Sequence, residues 1–297
     1  MDLVDKHILN QRLEPSPGVL YVVGTPIGHL GDLSPRAKSL LKKVSFIACE
    51  DTRHSGQLLK NIGVKAKLLS FYEHNTKRRL VQLLKLLNEG QSLALISDAG
   101  LPGISDPGEA LVSHARDNGH EVICIPGPCA ATTALVSSGL PSDRFCFEGF
   151  LPSRGNERKK LLAIVAKEKR TTVLYEAPHR LLKLLEELGE LCGRDRPVQV
   201  ARELTKVHEQ QVGSTIAEAH KYFLENKPLG ECTVVLGGAP EESNIQFTQA
   251  ELLAEMKALI KEGSSANEAA RSIAQKSGQS KRSLYALLHD INTNDGS

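Results

Sequence analysis

The stretch GVLYVVGTPIGHLGDLSPRA, residues 18–37, reads as a strand, a loop and the start of a helix. Val19–Val23 is an unbroken apolar run of strand length. It breaks at Gly24-Thr25-Pro26, and further glycines follow at 28 and 31. Ser34-Pro35 is a helix start: the hydroxyl can accept from an orphan backbone N–H, and proline is tolerated at the first helical position. Ala37, Leu40, Leu41 and Val44 then recur at helical spacing.

The same order repeats downstream. VSFIACED (44–51) is a second strand ending in acids, TKRRLVQLLKLLNEG (76–90) a helix stopped by Gly90, and SLALISDAG (92–100) a strand. DPGEALVSHARDNG (106–119) predicts a helix with Asp106 as N-cap and Pro107 at its first position. EVICIPGP (121–128) is a strand ending in a Pro-Gly turn, and CAATTALVSSG (129–139) a helix of small residues. Such alternation implies a largely parallel sheet with helices on both faces.

Turn residues cluster in GLPSDRFCFEGFLPSRG (139–155), which reads as a boundary. A second α/β set follows: a helix at 155–168, the strand TTVLYEA, the helix HRLLKLLEELGEL, the strand PVQVARELT and a final strand ECTVVLGGAP. Pro240–Asn244 is a polar linker. Three short helices close the chain, with Ser265 and Ser280 placed to cap the last two, as in a helix-turn-helix module. The expected organisation is a lead-in over 1–17, α/β domains over 18–140 and 141–240, and a helical module over 245–291.

The chain has 297 residues, 40% hydrophobic and 24% charged, without tryptophan, so its cores must be aliphatic. A net charge of only +2 gives no global basic field for nucleic acid. The six cysteines form no CxxC pair and have no histidine at zinc-ligand spacing, which predicts buried free thiols and no metal. The charged N-terminal segment lacks a signal-peptide core, and no apolar run approaches a membrane span, so a cytoplasmic protein without membrane contact is expected.

Three loops follow three strands: GTPIGHLGD (24–32), SDAGLPGISDPG (97–108) and PGPCAA (126–131). Ligands of open α/β sheets bind outside the carboxyl ends of the strands, and glycine lets backbone groups approach them closely. Neither a GxxxxGK[ST] phosphate loop nor a GxGxxG after the first strand is present. The loops carry Asp32, Asp98 and Asp106 and no lysine. Acids and carbonyls suit a ligand with an ammonium or sulfonium charge and a ribose diol. S-adenosylmethionine has all of these, and the chemistry admits other nucleosides as well.

VGTPIGHLGDLSPRA, ACEDTRHS, SDAGLPGISDPG and IPGPCA, in this order, resemble the tetrapyrrole-methylase superfamily, and in detail its ribosomal RNA branch, the small-subunit (16S) rRNA cytidine-2′-O-methyltransferases. The resemblance covers residues 18–240, and the tail is similar to that branch's C-terminal module. It implies two α/β domains with S-adenosylmethionine in the cleft between them, usually in a homodimer. By motif, the donor would touch Ile27, then Ala99, Gly100, Leu101 and Ile104, then Cys129 and Ala130, with Tyr175, Glu176 and Leu204 of the second domain completing the pocket. Cys129 departs from the hydroxyl residue common there in the tetrapyrrole branch. The implied substrate is a cytidine of the 16S rRNA decoding region, within the assembled small subunit.

Methylating a 2′-hydroxyl requires alignment and a proton acceptor. Glu50 and Asp51 are candidate bases, and by the resemblance Glu50 falls where a uroporphyrinogen methylase has its proton-accepting aspartate. Arg53 could orient a carboxylate or grip a phosphate. The plainer alternative is a structural ion pair between Glu50 and Arg53. His74 and Asn75 form a second pair at a strand end, where capping is an equally simple role.

For RNA, SRGNERKKLLAIVAKEKR (153–170) carries Arg154, Arg158, Lys159, Lys160, Lys167, Lys169 and Arg170 against two acids. Arg271, Lys276, Lys281 and Arg282 form a second cluster in the tail. Such groups suit phosphate contacts and carry no base information. Two rival readings remain: a tetrapyrrole methyltransferase, which leaves the tail without a purpose, and a DNA-binding regulator using Ser280–Leu288, which leaves the loops without one.

Overall fold

The computed structural model describes residues 13–72, 75–240, 248–277 and 279–289, and for Gln275, Lys276 and His289 the backbone only. Its first sheet holds β1 (Leu20–Val23), β2 (Phe46–Cys49), β3 (Leu68–Ser70), β4 (Leu93–Ile96) and β5 (Val122–Ile125). They run parallel in the order β3-β2-β4-β1-β5. The helices between them are α1 (Pro35–Leu41), α2 (Thr52–Asn61), α3 (Thr76–Asn88) and α4 (Glu109–Asp117). Two aliphatic cores sandwich the sheet, one around Tyr21, Leu40 and Ile47, the other around Leu20, Leu83 and Leu93. Tyr21 and Leu20 point to opposite faces because strand side chains alternate.

The second sheet is mixed, β6-β7-β10-β8-β9, from Phe145–Phe150, Thr171–Glu176, Cys232–Leu236, Val198–Arg202 and Gln210–Val212. Only the β6–β7 pairing is parallel. One face is covered by α6 (Asn156–Lys167), α7 (Pro178–Cys192) and α8 (Ile216–Glu225). The other face is covered by α5 (Ala130–Ser137), the helix of small residues that follows β5. Ala131, Ala134 and Leu135 pack there on Val173, Ala201, Leu204 and Val235. Small side chains let this helix lie close to the neighbouring sheet, and the described residues up to Ala239 form one compact unit.

The described residues from Pro240 onward form a second unit. Its helices α9 (Gln249–Lys261), α10 (Ala266–Ser277) and α11 (Lys281–His289) bury Leu252, Met256, Ala270, Ile273 and Leu284. Thr248 and Glu251 cap α9 reciprocally. Ser265 accepts from Glu268 N at 3.3 Å and Ser280 from Ser283 N at 3.1 Å, as a capping serine should.

Several elements lie where the sequence shows no strong pattern. α2 has a good N-cap in Asp51 but buries only Ser55 and Leu59. β6 occupies the stretch read as a boundary, and β9 is three residues before Gly213. α4 begins at Glu109 with Gly108 as N-cap, so Asp106 is not the cap. Of the cysteines, all free, only Cys49 and Cys232 are buried, and Cys124 is exposed on the edge strand β5. No helix among the described residues is long and apolar enough to cross a membrane.

Candidate active site

The strand order sets β4, β1 and β5 side by side, so their three loops emerge as neighbours at the carboxyl edge. They are fastened by backbone. Thr25 N donates to Gly100 O at 2.9 Å and Gly100 N to Thr25 O at 3.2 Å. The fully buried Thr25 hydroxyl donates to Ser97 O at 3.2 Å. Gly24 lies against Gly127: a Cβ on either would fall 2.7–2.8 Å from the other's Cα.

These loops and the second sheet enclose a cleft of about 380 Å³. Ile27, Ala99, Gly100, Leu101, Ile104, Cys129, Ala130, Tyr175 and Glu176, all named from sequence, line it. Leu204 does not. It is buried in the apolar layer between α5 and the second sheet, and its carbonyl backs onto Gly28. Glu176 lines the cleft, but its carboxylate is wholly buried and engaged by Arg158 and Arg180. The Tyr175 hydroxyl accepts from Ala131 N at 3.1 Å, and burial raises its pKa. Cys129 sits at the N-cap of α5 and makes no side-chain capping bond there, consistent with a thiol in place of a hydroxyl.

Sequence reasoning did not place Asp98, Asp106 and Phe150 in one wall. Asp98 Oδ1 is buried without a hydrogen-bond partner. Asp106 is pushed up to about 6, first by burial and then by the charge of Glu50. Phe150, 57% exposed, leans on Tyr175 with ring centroids 5.4 Å apart. Ser105, beside Asp106, takes a left-handed φ of 60°, as do Glu203 at 53° and Thr205 at 64°. Non-glycine residues rarely adopt this conformation. Thr205 Oγ1 accepts from His29 N at 2.9 Å, which holds the strained 203–206 loop against the first loop.

Glu50 and Arg53 lie outside the main cleft, in an open depression that meets it at Asp98. Glu50 has its pKa raised by burial, then by Asp98 and Asp51. Arg53 pairs with Asp51 (NH2 to Oδ2, 2.7 Å), not with Glu50, and is 91% exposed. That pairing holds Asp51 well below the usual carboxylate range. Asn75 Oδ1 accepts from Tyr72 N at 3.0 Å; His74 lies outside the described residues.

The basic clusters divide. Arg154, Lys159 and Lys160 are exposed, as are Arg271, Lys281 and Arg282; the Lys276 side chain is outside the description. Arg158 is a correction. It is 3% exposed and bound to Glu187 (2.6 Å), Glu176 (3.6 Å) and Pro152 O (3.0 Å), so it cannot meet a phosphate. The signal was in the spacing: Arg158, Leu162 and Val165 share the buried stripe of α6.

Residues 19–220 match the model of the tetrapyrrole (corrin/porphyrin) methylases. The ribosomal RNA small subunit methyltransferase I of Synechocystis sp. is 47% identical over 92% of this chain and 98% of its own. Its namesake from Escherichia coli O157:H7 is 42% identical over 93% and 96%. That of Thermotoga maritima is 48% identical over 74% of this chain and 99% of its own length. Cobalt precorrin-4 methyltransferase shares the fold at a TM-score of 0.57 and 18% identity, over 74% of this chain and 95% of that one. So does the uroporphyrin-III-C-methyltransferase of Thermus thermophilus, at 0.54 and 20%, over 74% and 94%. With most of both chains aligned at over 40% identity, this chain belongs to the tetrapyrrole methylases and, within them, to the family of the ribosomal RNA small subunit methyltransferases I.

Proposed function

We propose that the chain methylates small-subunit ribosomal RNA from S-adenosylmethionine, at the ribose 2′-hydroxyl of a cytidine in the decoding region. The observation that carries the donor is the cleft itself. It has apolar walls in Ile27, Leu101 and Ile104, four acids in Asp98, Asp106, Glu231 and the arginine-bound Glu176, and no lysine or arginine among the described residues that line it. The unpartnered Asp98 oxygen fits a ligand that brings a cation or a hydrogen-bond donor. The relatives' shared name carries the RNA. A tetrapyrrole acceptor is supported by shared fold alone, and a DNA-binding role leaves the cleft unexplained.

When bound, the donor supplies an electrophilic methyl on a sulfonium. Ile27, Ala99, Gly100, Leu101, Ile104, Cys129, Ala130 and Tyr175 would hold it, and the fastened loops keep that frame rigid. Glu50, beside Asp98, is the candidate acceptor of the hydroxyl proton. Its raised pKa makes it a better base than an ordinary glutamate. Glu50→Gln is expected to leave donor affinity unchanged and cut methyl transfer at least about tenfold; unaltered turnover would remove the assignment. Arg154, Lys159, Lys160, Arg271, Lys281 and Arg282 are proposed phosphate contacts, on the assembled subunit and from a homodimer.

Asp106 adds a pH dependence. It is neutral below about 6 and ionised above, and a cationic donor prefers the ionised form. Donor affinity should therefore rise with pH through about 6 and then level off. Asp106→Asn should flatten the calorimetric profile; an unchanged profile would detach Asp106 from the donor.

The function is tested with small subunits, purified protein and methyl-labelled donor. Label at one cytidine, with the adjoining linkage resistant to alkali, is the expected result. Label on a base, or none on the RNA, overturns it.

A further inference from the structure

A second cavity adjoins the donor cleft across Ile27, Asp98, Ala99 and Glu231 and encloses about 290 Å³. The proposed transfer so far gives it no role. One wall is a single stripe of α2: His54, Gln57, Leu58 and Asn61, at helical spacing. Another face of the helix, with Ser55 and Leu59, is buried, Leu59 in the core against the first sheet. Leu30 and Leu58 add apolar surface, and Lys206 is held by Glu203 (2.9 Å) and Glu231 (2.8 Å).

Gln57 Nε2 donates to Asn61 Oδ1 at 2.9 Å. With Gln57 as the donor of this bond, Gln57 Oε1 is left as an acceptor beside Asn61 Nδ2 as a donor. Neither has another hydrogen-bond partner among the described residues. Cytosine offers the complement along its Watson–Crick edge, an amino donor beside a ring-nitrogen acceptor. Uracil offers the reverse order. Sequence-specific RNA recognition targets unstacked bases that are splayed out, packed against side chains and hydrogen-bonded on their edges.

We propose that this cavity receives the base of the acceptor nucleotide, and that Gln57 and Asn61 read it as cytosine. The proposal rests on the ribosomal RNA reading above and adds the residues that select the base. With the base on α2, the attached ribose reaches the junction at Asp98, where the donor cleft, this cavity and the Glu50 depression meet. Gln57 and Asn61 are specificity residues here, with no part in the proton transfer.

The test uses the full-length Gln57→Ala/Asn61→Ala variant on small subunits, and on subunits with the modified cytidine replaced by uridine. Loss of both edge contacts should lower kcat/KM for the cytidine substrate by roughly 5- to 100-fold and erase the preference over uridine. Donor affinity and Tm should stay unchanged, since both side chains are exposed and outside the donor cleft. Full kcat/KM with intact cytidine preference in the double variant would overturn the proposal, as would a parallel fall in donor affinity or Tm. If the unsubstituted protein fails to methylate small subunits, the ribosomal RNA reading falls, and this site with it.

Discussion

Gly24→Ala is expected to cost both stability and donor binding. Gly24 follows β1 and Gly127 follows β5, and these strands are paired in register up to Val23 and Ile125. A Cβ on Gly24 would sit 2.7 Å from Gly127 Cα and 3.0 Å from its nitrogen. Both partners are backbone, so no side chain can turn aside. The two loops must part, and they are the loops that carry Ile27 on one side and Cys129 and Ala130 on the other. Overpacking of this kind costs about 1–3 kcal/mol of stability. A displacement that removes even about 1.4 kcal/mol of donor contact is tenfold in affinity. Gly119→Ala is the control: its φ of 78° strains an alanine, yet nothing lies within 4 Å of the new Cβ and the residue is remote from the cleft. That variant should lose roughly 1–2 kcal/mol and bind the donor normally. Thermal melts with calorimetry on both separate the two effects; normal donor affinity in Gly24→Ala would show the close approach to be dispensable.

What could be read from the sequence was whatever has a local cause. A buried strand needs a run such as Leu20–Val23, a helix start needs Ser34-Pro35, and a ligand loop needs Gly where backbones meet. Each is written in neighbouring residues, and so the parallel sheet came from pattern, whereas the ten pocket residues were named by the resemblance, and nine of them line the cleft. What stayed hidden depends on distant packing. Asp106-Pro107 has the form of a cap and first turn, but Gly108 takes the cap and leaves the carboxylate to the cleft. A run of cations does not say which one points inward, and Arg158 is that one. Nor does a helix of small residues announce that it covers the next sheet, which is why Leu204 belongs to an apolar layer and not to the cleft wall. Asp98 was visible as an acid in a loop. Its position where three cavities meet follows only from the strand order.

The second large effect is expected at Glu176. Its carboxylate is fully buried at the end of β7, and three groups converge on it. Ala177 N donates to Oε1 at 2.9 Å, Arg180 Nε donates to the same oxygen at 2.6 Å, and Arg158 lies 3.6 Å from Oε2. Glu187, on α7 and 26% exposed, holds the other side of Arg158. Two guanidiniums thus face two carboxylates, and the arrangement joins the start of α6 to the start of α7 under the floor of the cleft. Glu176→Ala leaves two cations against one acid, with Arg158 only 3% exposed and unable to turn to water. Removing one partner of a buried pair costs about 3–5 kcal/mol, because the remaining charge is stranded. Glu176→Gln keeps an acceptor for Ala177 N and removes only the charge, so it should fall between the alanine variant and the original protein. A motif-based reading gives Glu176 to the donor and predicts the opposite pattern: lost affinity at unchanged Tm. The geometry predicts that Tm falls steeply in Glu176→Ala, and that any loss of donor binding follows the loss of folded protein. Denaturant melts read beside donor calorimetry decide between them, since a stable Glu176→Ala protein that no longer binds donor would return the residue to the ligand.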